Sequence, residues 1–327
     1  MKVDRRKWKK LSPVLKAAIQ EYIDRSKAAL AEEDVTNKIS VPLYHYTDAT
    51  GLEGIIKNQQ IWFTHYQHLN DPTEVTYGME VASGLISEIG GQYMTLTKLF
   101  CDMANEFFAH PKIKESFGIF IGSFSHKSDD LNQWRAYGDD GRGFALGLSP
   151  SLFQVEDKAD RKPHENVLVA PVAYGKQNGQ DRHRRAIEEA VRIVNGIVTN
   201  VPAVQNCNVG MPFFDEMAKA LVGSEMLWKS MTIKDEAYER EREVRLIIVG
   251  EYKNLRPFIS ERSRAGKVVP FIKSCMPLQA MGSIVEVVIG PSATADAEER
   301  VRTLLQPFLA NPDSIIRRSK IPYRSMR

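Results

Sequence analysis

Apolar residues along this chain recur with two different periods, and the changes of period mark out its elements. Behind Ser12-Pro13, which reads as an N-cap followed by proline at the first helical position, Leu15, Ala18, Ile19, Tyr22 and Ile23 recur at helical spacing. They predict an amphipathic helix over 13–32. From Val41 the pattern shortens to that of strands, the first running from Val41 to Tyr46. Thr50-Gly51-Leu52-Glu53 is a capping-box sequence with Leu52, Ile55 and Ile56 behind it, which predicts a short helix ending near Lys57. Ile61 to Thr64 reads as a second strand, and an interrupted helical stretch follows from about Thr73 to Phe108. Phe117 to Phe124, Gly143 to Leu148 and Asn166 to Tyr174 read as strands.

Residues 180–199 and 213–229 return to the helical period, with Ile187, Val191 and Val194 on one face and Phe214, Met217, Leu221 and Leu227 on the other helix. Glu243 to Val249 and Ile284 to Ile289 are the last clear strands, the second stopped by Gly290-Pro291, and residues 296–309 read as a closing helix. There is no internal repeat and no low-complexity tract. The pattern predicts an α+β fold: a mixed β core with flanking helices and a helical insertion at about 178–232. The divisions expected are a basic N-terminal segment with its amphipathic helix (1–38), one α+β domain (39–310) and a basic C-terminal tail (311–327).

Composition adds limits. With 327 residues, 43% hydrophobic and 26% charged, the chain resembles an ordinary globular protein and can bury a substantial core. No apolar run is long enough for a membrane span, and no apolar stretch follows the basic start as a secretory signal would require, so a cytoplasmic protein is expected. Cys101, Cys207 and Cys275 lie far apart in no paired spacing, which predicts reduced thiols and neither a disulfide framework nor a zinc cluster. Charge is uneven. Residues 1–10 carry about +5, through Arg5, Arg6, Lys7, Lys9 and Lys10 among others. Residues 317–327 carry +5, and the net is only +3, so the body is acidic. Two readings stay open for the basic ends: solvated tails, or contact with a polyanion such as nucleic acid.

Four constellations carry candidate chemistry. In Tyr44-His45-Tyr46-Thr47, strand alternation puts His45 and Thr47 on one face and Tyr44 and Tyr46 on the other. A ring nitrogen and a hydroxyl on one face can hold a ribose or an amide, beside an aromatic that can stack; a strand with one polar face is the plainer alternative. Asn70-Asp71-Pro72, followed by Glu74, is first a turn with a bracing aspartate. His65 and His68 nearby match no strong metal-ligand signature. Gln133-Trp134-Arg135-Ala136-Tyr137-Gly138 opens a Gly-rich connection in which arginine and aromatic faces suit a phosphate and a base, although no phosphate-loop or dinucleotide fingerprint is present. Finally, Glu239 to Arg245 runs into an apolar strand. As a strand it would align Glu241, Glu243 and Arg245 on one face, and paired carboxylates beside an arginine can support oxocarbenium chemistry or a proton transfer.

The ordered set of these segments, from Leu43-Tyr44-His45-Tyr46-Thr47 through Ile61-Trp62-Phe63-Thr64, Asn70-Asp71-Pro72-Thr73-Glu74, Gln133 to Gly138, Tyr238 through Glu241, Glu243 and Arg245 to Val287–Pro291, resembles over about 41–291 a widespread bacterial family known only as a domain of unknown function (number twenty-nine seventy-one). More distantly, a strand ending in His-x-Thr, a short capped helix, a second strand with aromatics and a late strand bearing Glu are similar to the ADP-ribosyltransferase plan. That resemblance implies that His45 and Thr47 hold the adenosine ribose or the nicotinamide amide of NAD. It implies that Phe63 or Tyr66 stacks on nicotinamide, and that Glu243 stabilises the ribose as nicotinamide leaves. Glu241 would then be the first member of a paired-glutamate site that activates the acceptor. Tyr44, Tyr46, Asn70, Asp71, Trp134, Arg135, Tyr137 and Arg245 complete the candidate NAD-binding set, and no metal is expected. The activity implied is transfer of ADP-ribose to a nucleic acid or protein. By analogy the setting is a toxin or antiviral defence, and the alternatives are a non-catalytic nucleotide-sensing or nucleic-acid-binding module and an NAD glycohydrolase. On this reading His45, Trp134 or Tyr137, and Glu243 line one cleft.

Overall fold

The computed structural model describes residues 8–9, 11–33, 38–71, 73, 75–109, 116–153, 162–264 and 266–326. In chain order these form α1 (Pro13–Glu33), β1 (Leu43–Thr47), α2 (Ala49–Asn58), β2 (Gln60–His65), α3 (Thr76–Gly90), α4 (Thr95–Ala109), β3 (Phe117–Ser125), α5 (Leu131–Ala136), β4 (Phe144–Leu148) and β5 (Val167–Pro171). There follow β6 (Ala173–Tyr174), α6 (Lys176–Asn200), α7 (Cys207–Leu221), β7 (Ile233–Lys234), β8 (Glu243–Glu251), β9 (Ile259–Arg264), β10 (Lys267–Cys275), β11 (Ile284–Ile289), α8 (Ala297–Leu305) and β12 (Ile316–Arg318). The fold is α+β, as the periodicity predicts. Two departures concern its ends and edges. The hairpin β9–β10 escapes the sequence reading, because its polar and charged residues mask the alternation. The short helix α2 is capped by Asp48 instead of the predicted Thr50: Asp48 accepts a hydrogen bond from the Gly51 amide, which starts the helix earlier. Among the described residues no helix is long and apolar enough to cross a membrane.

The chain divides into two compact units, each built from several segments. One comprises residues 1–33, 70–117 and 173–238; the other comprises 34–69, 118–172 and 239–327.

The first unit is helical. α3 packs on α4 and α6, α4 on α7, and α1 on α6 and α7, each burying the stripe that the 3.6-residue period marks: Leu15, Ile19 and Tyr22 on α1, Ile187, Val191 and Val194 on α6, Phe214, Met217 and Leu221 on α7. α7 runs on through one π-helical turn, Val222–Met226, into the single turn Leu227–Ser230. That turn carries Lys229, which is buried beside Glu225 at 2.6 Å and Glu33 at 3.0 Å and donates to the Arg182 carbonyl. A buried ammonium is tolerated here because every direction it faces holds an acceptor. The parallel pair β6–β7 belongs to this unit.

The second unit is a ten-stranded sheet in the order β12-β11-β4-β1-β3-β2-β10-β9, with β8 pairing both β3 and β5. Its main core lies on one face, where Leu43, Phe63, Phe120, Phe124, Leu146, Val287 and Ile289 meet Leu52, Ile55 and Ile56 of α2 and Val301 and Leu305 of α8. A smaller apolar cluster on the other face joins Tyr46, Trp134, Ala145 and Val288. The C-terminal stretch, expected as a free basic tail, is part of the sheet. β12 pairs in parallel with β11, Arg317 is held by Glu286 and Asp129, and the Tyr323 hydroxyl donates to Asp140 at 2.7 Å. The basic residues Arg5, Arg6, Lys7 and Lys10 lie outside the described residues.

Candidate functional site

β1 is flanked unequally. It keeps β4 beside it over all five residues, Leu43↔Leu148 to Thr47↔Phe144, but its register with β3 is confined to Tyr44↔Ser125. β2 meets β3 further along, at Thr64↔Ile121 and His65↔Phe120. Between these two pairings lies Ser123, and its carbonyl is taken by a side chain: His45 Nδ1 donates to it at 3.0 Å. The sheet therefore parts where β1 leaves β3, and His45 stands in the parting. Because a carbonyl can only accept, Nδ1 carries the proton and Nε2 is the acceptor of a neutral imidazole. Burial lowers the His45 pKa further, against the opposing pull of the Ser123 carbonyl. Nε2 has no partner among the described residues, so it remains available to a hydroxyl.

The late strand is organised differently. Val244, Leu246 and Ile248 of β8 enter the main core with Leu43 and Phe124, so Glu243 and Arg245 point to the opposite face. There Arg245 grips Glu243 with two hydrogen bonds, Nε to Oε1 at 3.2 Å and Nη2 to Oε2 at 3.1 Å. Glu243 is 5% exposed and Arg245 fully buried. Glu241 precedes the strand in a 3₁₀ turn, and Arg242 between them adopts φ +48°. That left-handed residue breaks the alternation which would have aligned the two glutamates. Glu241 is fixed instead by a ring of donors: Tyr137 OH to its Oε1 at 3.0 Å, and Ser125 Oγ and Gln133 Nε2 to its backbone carbonyl, each at 2.9 Å.

The expected site residues consequently divide. Tyr44, Tyr46, Trp134, Tyr137, Glu241, Glu243 and Arg245 gather on one face of the sheet unit, and His45, Thr47 and Phe63 lie on the other. The expectation that His45, Trp134 or Tyr137, and Glu243 line one cleft is corrected: the period-2 rule places His45 on the face opposite Tyr137 and Glu243. Phe63 is wholly buried in the core, with Gly122 beside its ring. Tyr66 is buried with its ring tilted against His65 at 4.9 Å. Neither ring is free to stack on nicotinamide. Trp134 is also core: its indole donates to Asp129 at 2.7 Å and meets the Tyr46 ring edge-on at 4.8 Å. Tyr46 donates to the Lys127 carbonyl, and burial raises its pKa well above the usual phenol value. Tyr44 is half-buried near Glu286 and Arg317, and desolvation followed by the Glu286 charge raises its pKa. Arg135 is exposed. Asn70 and Asp71 fall in the helical unit. There Asp71 Oδ1 accepts from the amide and hydroxyl of Thr73, so its role is to brace a turn. Pro72 and Glu74 lie outside the described residues.

Residues missed in the sequence are those whose partners come from distant segments. Asp129 ties the loop before α5 to Ser319 and Lys320, and Glu286 receives Arg317; no local spacing announces either.

Residues 133–246 match the model of a family described as "Protein of unknown function (DUF2971)". The resemblance to that family read from the sequence thus holds over a stretch that includes Trp134, Arg135, Tyr137, Glu241, Glu243 and Arg245. Comparison with curated proteins and with solved structures gives no match.

Proposed function

Since the matching family carries no assigned activity, we propose from the site itself that this protein binds NAD where β1 and β2 part and transfers its ADP-ribose to a macromolecule. The observation that carries the reading is the lapse of β1–β3 pairing beyond Tyr44. A strand edge that loses its neighbour offers backbone donors and acceptors to a ligand lying in the plane of the sheet. A carboxamide suits such an edge, having one donor and one acceptor of its own. A ligand in that plane is also bordered by side chains from both faces, which reconciles His45 on one face with Glu243 on the other.

On this reading His45 accepts a ribose hydroxyl through Nε2. Nicotinamide departs with the electron pair of its bond to ribose, and positive charge develops on the sugar. The Glu243 carboxylate, oriented by Arg245, stabilises that charge more in the transition state than in the ground state, which is the condition for catalysis. Glu241, aimed by Tyr137, takes the proton from the acceptor as its oxygen or nitrogen attacks the anomeric carbon. The aromatic that would stack on nicotinamide is left unassigned by the burial of Phe63 and Tyr66.

A second reading is a non-catalytic nucleotide-binding module. It is favoured by the burial of Glu243 in its pair with Arg245. One experiment separates the two: incubation with NAD labelled in its adenylate, alone and with cell lysate, with and without nuclease. Label fixed to a macromolecule supports transfer, and nuclease sensitivity names the acceptor. Free ADP-ribose points to a glycohydrolase. Binding of NAD without release of nicotinamide supports the module, and absence of both binding and turnover removes the proposal.

A further inference from the structure

The hairpin β9–β10 forms one edge of the sheet and is joined to the rest through β2. Its registers fix which side chains share a face. Lys267 lies opposite Arg264, Val269 opposite Arg262, Phe271 opposite Thr64, and Lys273 opposite Trp62. One face of these three strands therefore presents Arg262, Arg264, Lys267, Lys273, Trp62 and Phe271 together. The only acid in the three strands, Glu261, pairs with Pro270 and points to the other face. The carboxylate whose charge acts on Arg262 is Asp48, which is occupied in capping α2.

Trp62 is 41% exposed, an unusual setting for so large an apolar ring. It is stacked on Phe271 at 4.2 Å, with the planes 27° apart. The Arg262 guanidinium lies 5.4 Å from the Trp62 ring and 5.7 Å from Phe271, and Lys273 stands 6.0 Å from Phe271. Arg262 is held by one hydrogen bond, to Thr64 Oγ1 at 3.1 Å; its Nε has no partner among the described residues. Burial lowers its pKa, and the neighbouring Arg264 adds to the effect. A guanidinium in that state gains from an anion.

Cations on an edge hairpin also guard against strand-to-strand aggregation. That role does not call for an exposed indole stacked among them, with cations gathered on the same face and the acid on the other. The combination of aromatic platform and cations that form no ion pair among the described residues is what sequence-tolerant single-strand binders use: bases stack on rings, and phosphates meet Lys and Arg. From Lys267 to Lys273 the face runs about 20 Å at strand rise, room for a few nucleotides, the lower end of single-strand site sizes.

We propose that this face binds single-stranded nucleic acid, with a base stacked on Trp62 and phosphates on Arg264, Lys267 and Lys273. The inference is independent of the NAD site and holds whether or not the protein turns NAD over.

The test is fluorescence anisotropy of the full chain with labelled 12-mers of oligo(dT) and oligo(U), against a duplex of equal length, over a range of salt. Single strands should bind more tightly than duplex, with a log–log salt slope near −2 for about three phosphate contacts. Trp62→Ala should weaken binding roughly tenfold and leave the salt slope unchanged, and Trp62→Phe should restore most of it. Lys267→Ala and Lys273→Ala should each flatten the slope by about 0.7. All three positions altered are exposed on the hairpin or its neighbour, and a melting curve confirms folding. Duplex bound as well as single strand, or single-strand binding indifferent to Trp62→Ala, would assign any affinity to the basic N-terminal residues and overturn the proposal. Absence of binding at low salt would overturn it as well.

Discussion

Glu243→Gln distinguishes a carboxylate that holds the sheet together from one that does chemistry. Arg245 is fully buried and donates two hydrogen bonds to Glu243, at 3.2 and 3.1 Å. Glutamine keeps the shape, but it offers one carbonyl and one amide where the guanidinium needs two acceptors, and it removes the compensating charge. Breaking a buried pair by removing one partner costs about 3–5 kcal/mol. Both residues have further interactions in the fold, so the lower end, about 3 kcal/mol, is expected. For a domain of this size that corresponds to a fall in Tm of roughly 6–12 °C. Arg245→Met should cost a similar amount. The double variant Glu243→Leu/Arg245→Met should recover most of the loss, since matched apolar residues often replace a buried pair at no cost. Thermal melts and urea titrations of the three proteins give the coupling. At a temperature where Glu243→Gln is folded, nicotinamide release should also fall about 10²-fold if the carboxylate stabilises the reacting ribose. A Glu243→Gln protein that melts like the parent would refute the structural argument; one that also turns NAD over normally would end the catalytic one.

Other predictions follow from single sites. His183 is buried, and burial together with the Lys229 and Arg182 charges holds its pKa at about 3; it is therefore neutral in the folded protein and protonates first in the unfolded chain. Its contribution is complete above pH 6.5 and is lost as pH falls toward 3, so urea titrations should show about 2 kcal/mol less stability at pH 5 than at pH 7.5. The loss should be absent in His183→Leu, and an equal pH slope in that variant would contradict the assignment. At Gly143 an added Cβ would meet the Thr47 carbonyl at 2.2 Å and the Gly138 carbonyl at 2.9 Å. Both are backbone, so Gly143→Ala should cost about 1–3 kcal/mol and weaken NAD binding by displacing the end of β1; a calorimetric titration matching the parent would speak against a site there. His45→Ala strands the Ser123 carbonyl and should cost about 1–3 kcal/mol in a denaturant titration, with loss of NAD affinity exceeding what unfolding explains.

How far the sequence revealed this arrangement depends on where each signal resides. The helices α1, α6 and α7 were readable because their apolar stripes persist over four or more turns. The strands β3, β4, β8 and β11 were readable because burial on both faces makes their runs largely apolar. β9 and β10 were not, since Arg262, Arg264, Lys267 and Lys273 interrupt any apolar alternation. β12 was hidden for the same reason, Arg317 and Arg318 reading as a solvated end while in fact one of them is held by Glu286. For the candidate site, residue type was legible and direction was not. Trp134 and Phe63 have the right chemistry for a ring, yet the strand and helix that carry them turn both into the core. The left-handed backbone at Arg242 could not be foreseen from an arginine, and it alone undoes the expected alignment of Glu241 with Glu243.

The interleaving of the two units constrains how the chain can be cut. It passes from one unit to the other at residues 33–34, 69–70, 117–118, 172–173 and 238–239, so neither unit is a contiguous fragment. The stretch 133–246 that matches the family contains β4 and β5 but leaves out β1, β2, β3 and β9 to β12, and it ends inside β8. Expressed alone it would bring two whole strands and part of a third from the ten-stranded sheet, with unpaired edges, and should aggregate. The same wiring governs how the protein forms. β1 waits about a hundred residues of synthesis for β4, and β5 about seventy for β8, so closure of these loops precedes any reward in burial. Ribosome-bound intermediates of this chain should expose strand edges for seconds at ordinary synthesis rates, and a holdase chaperone should raise its yield.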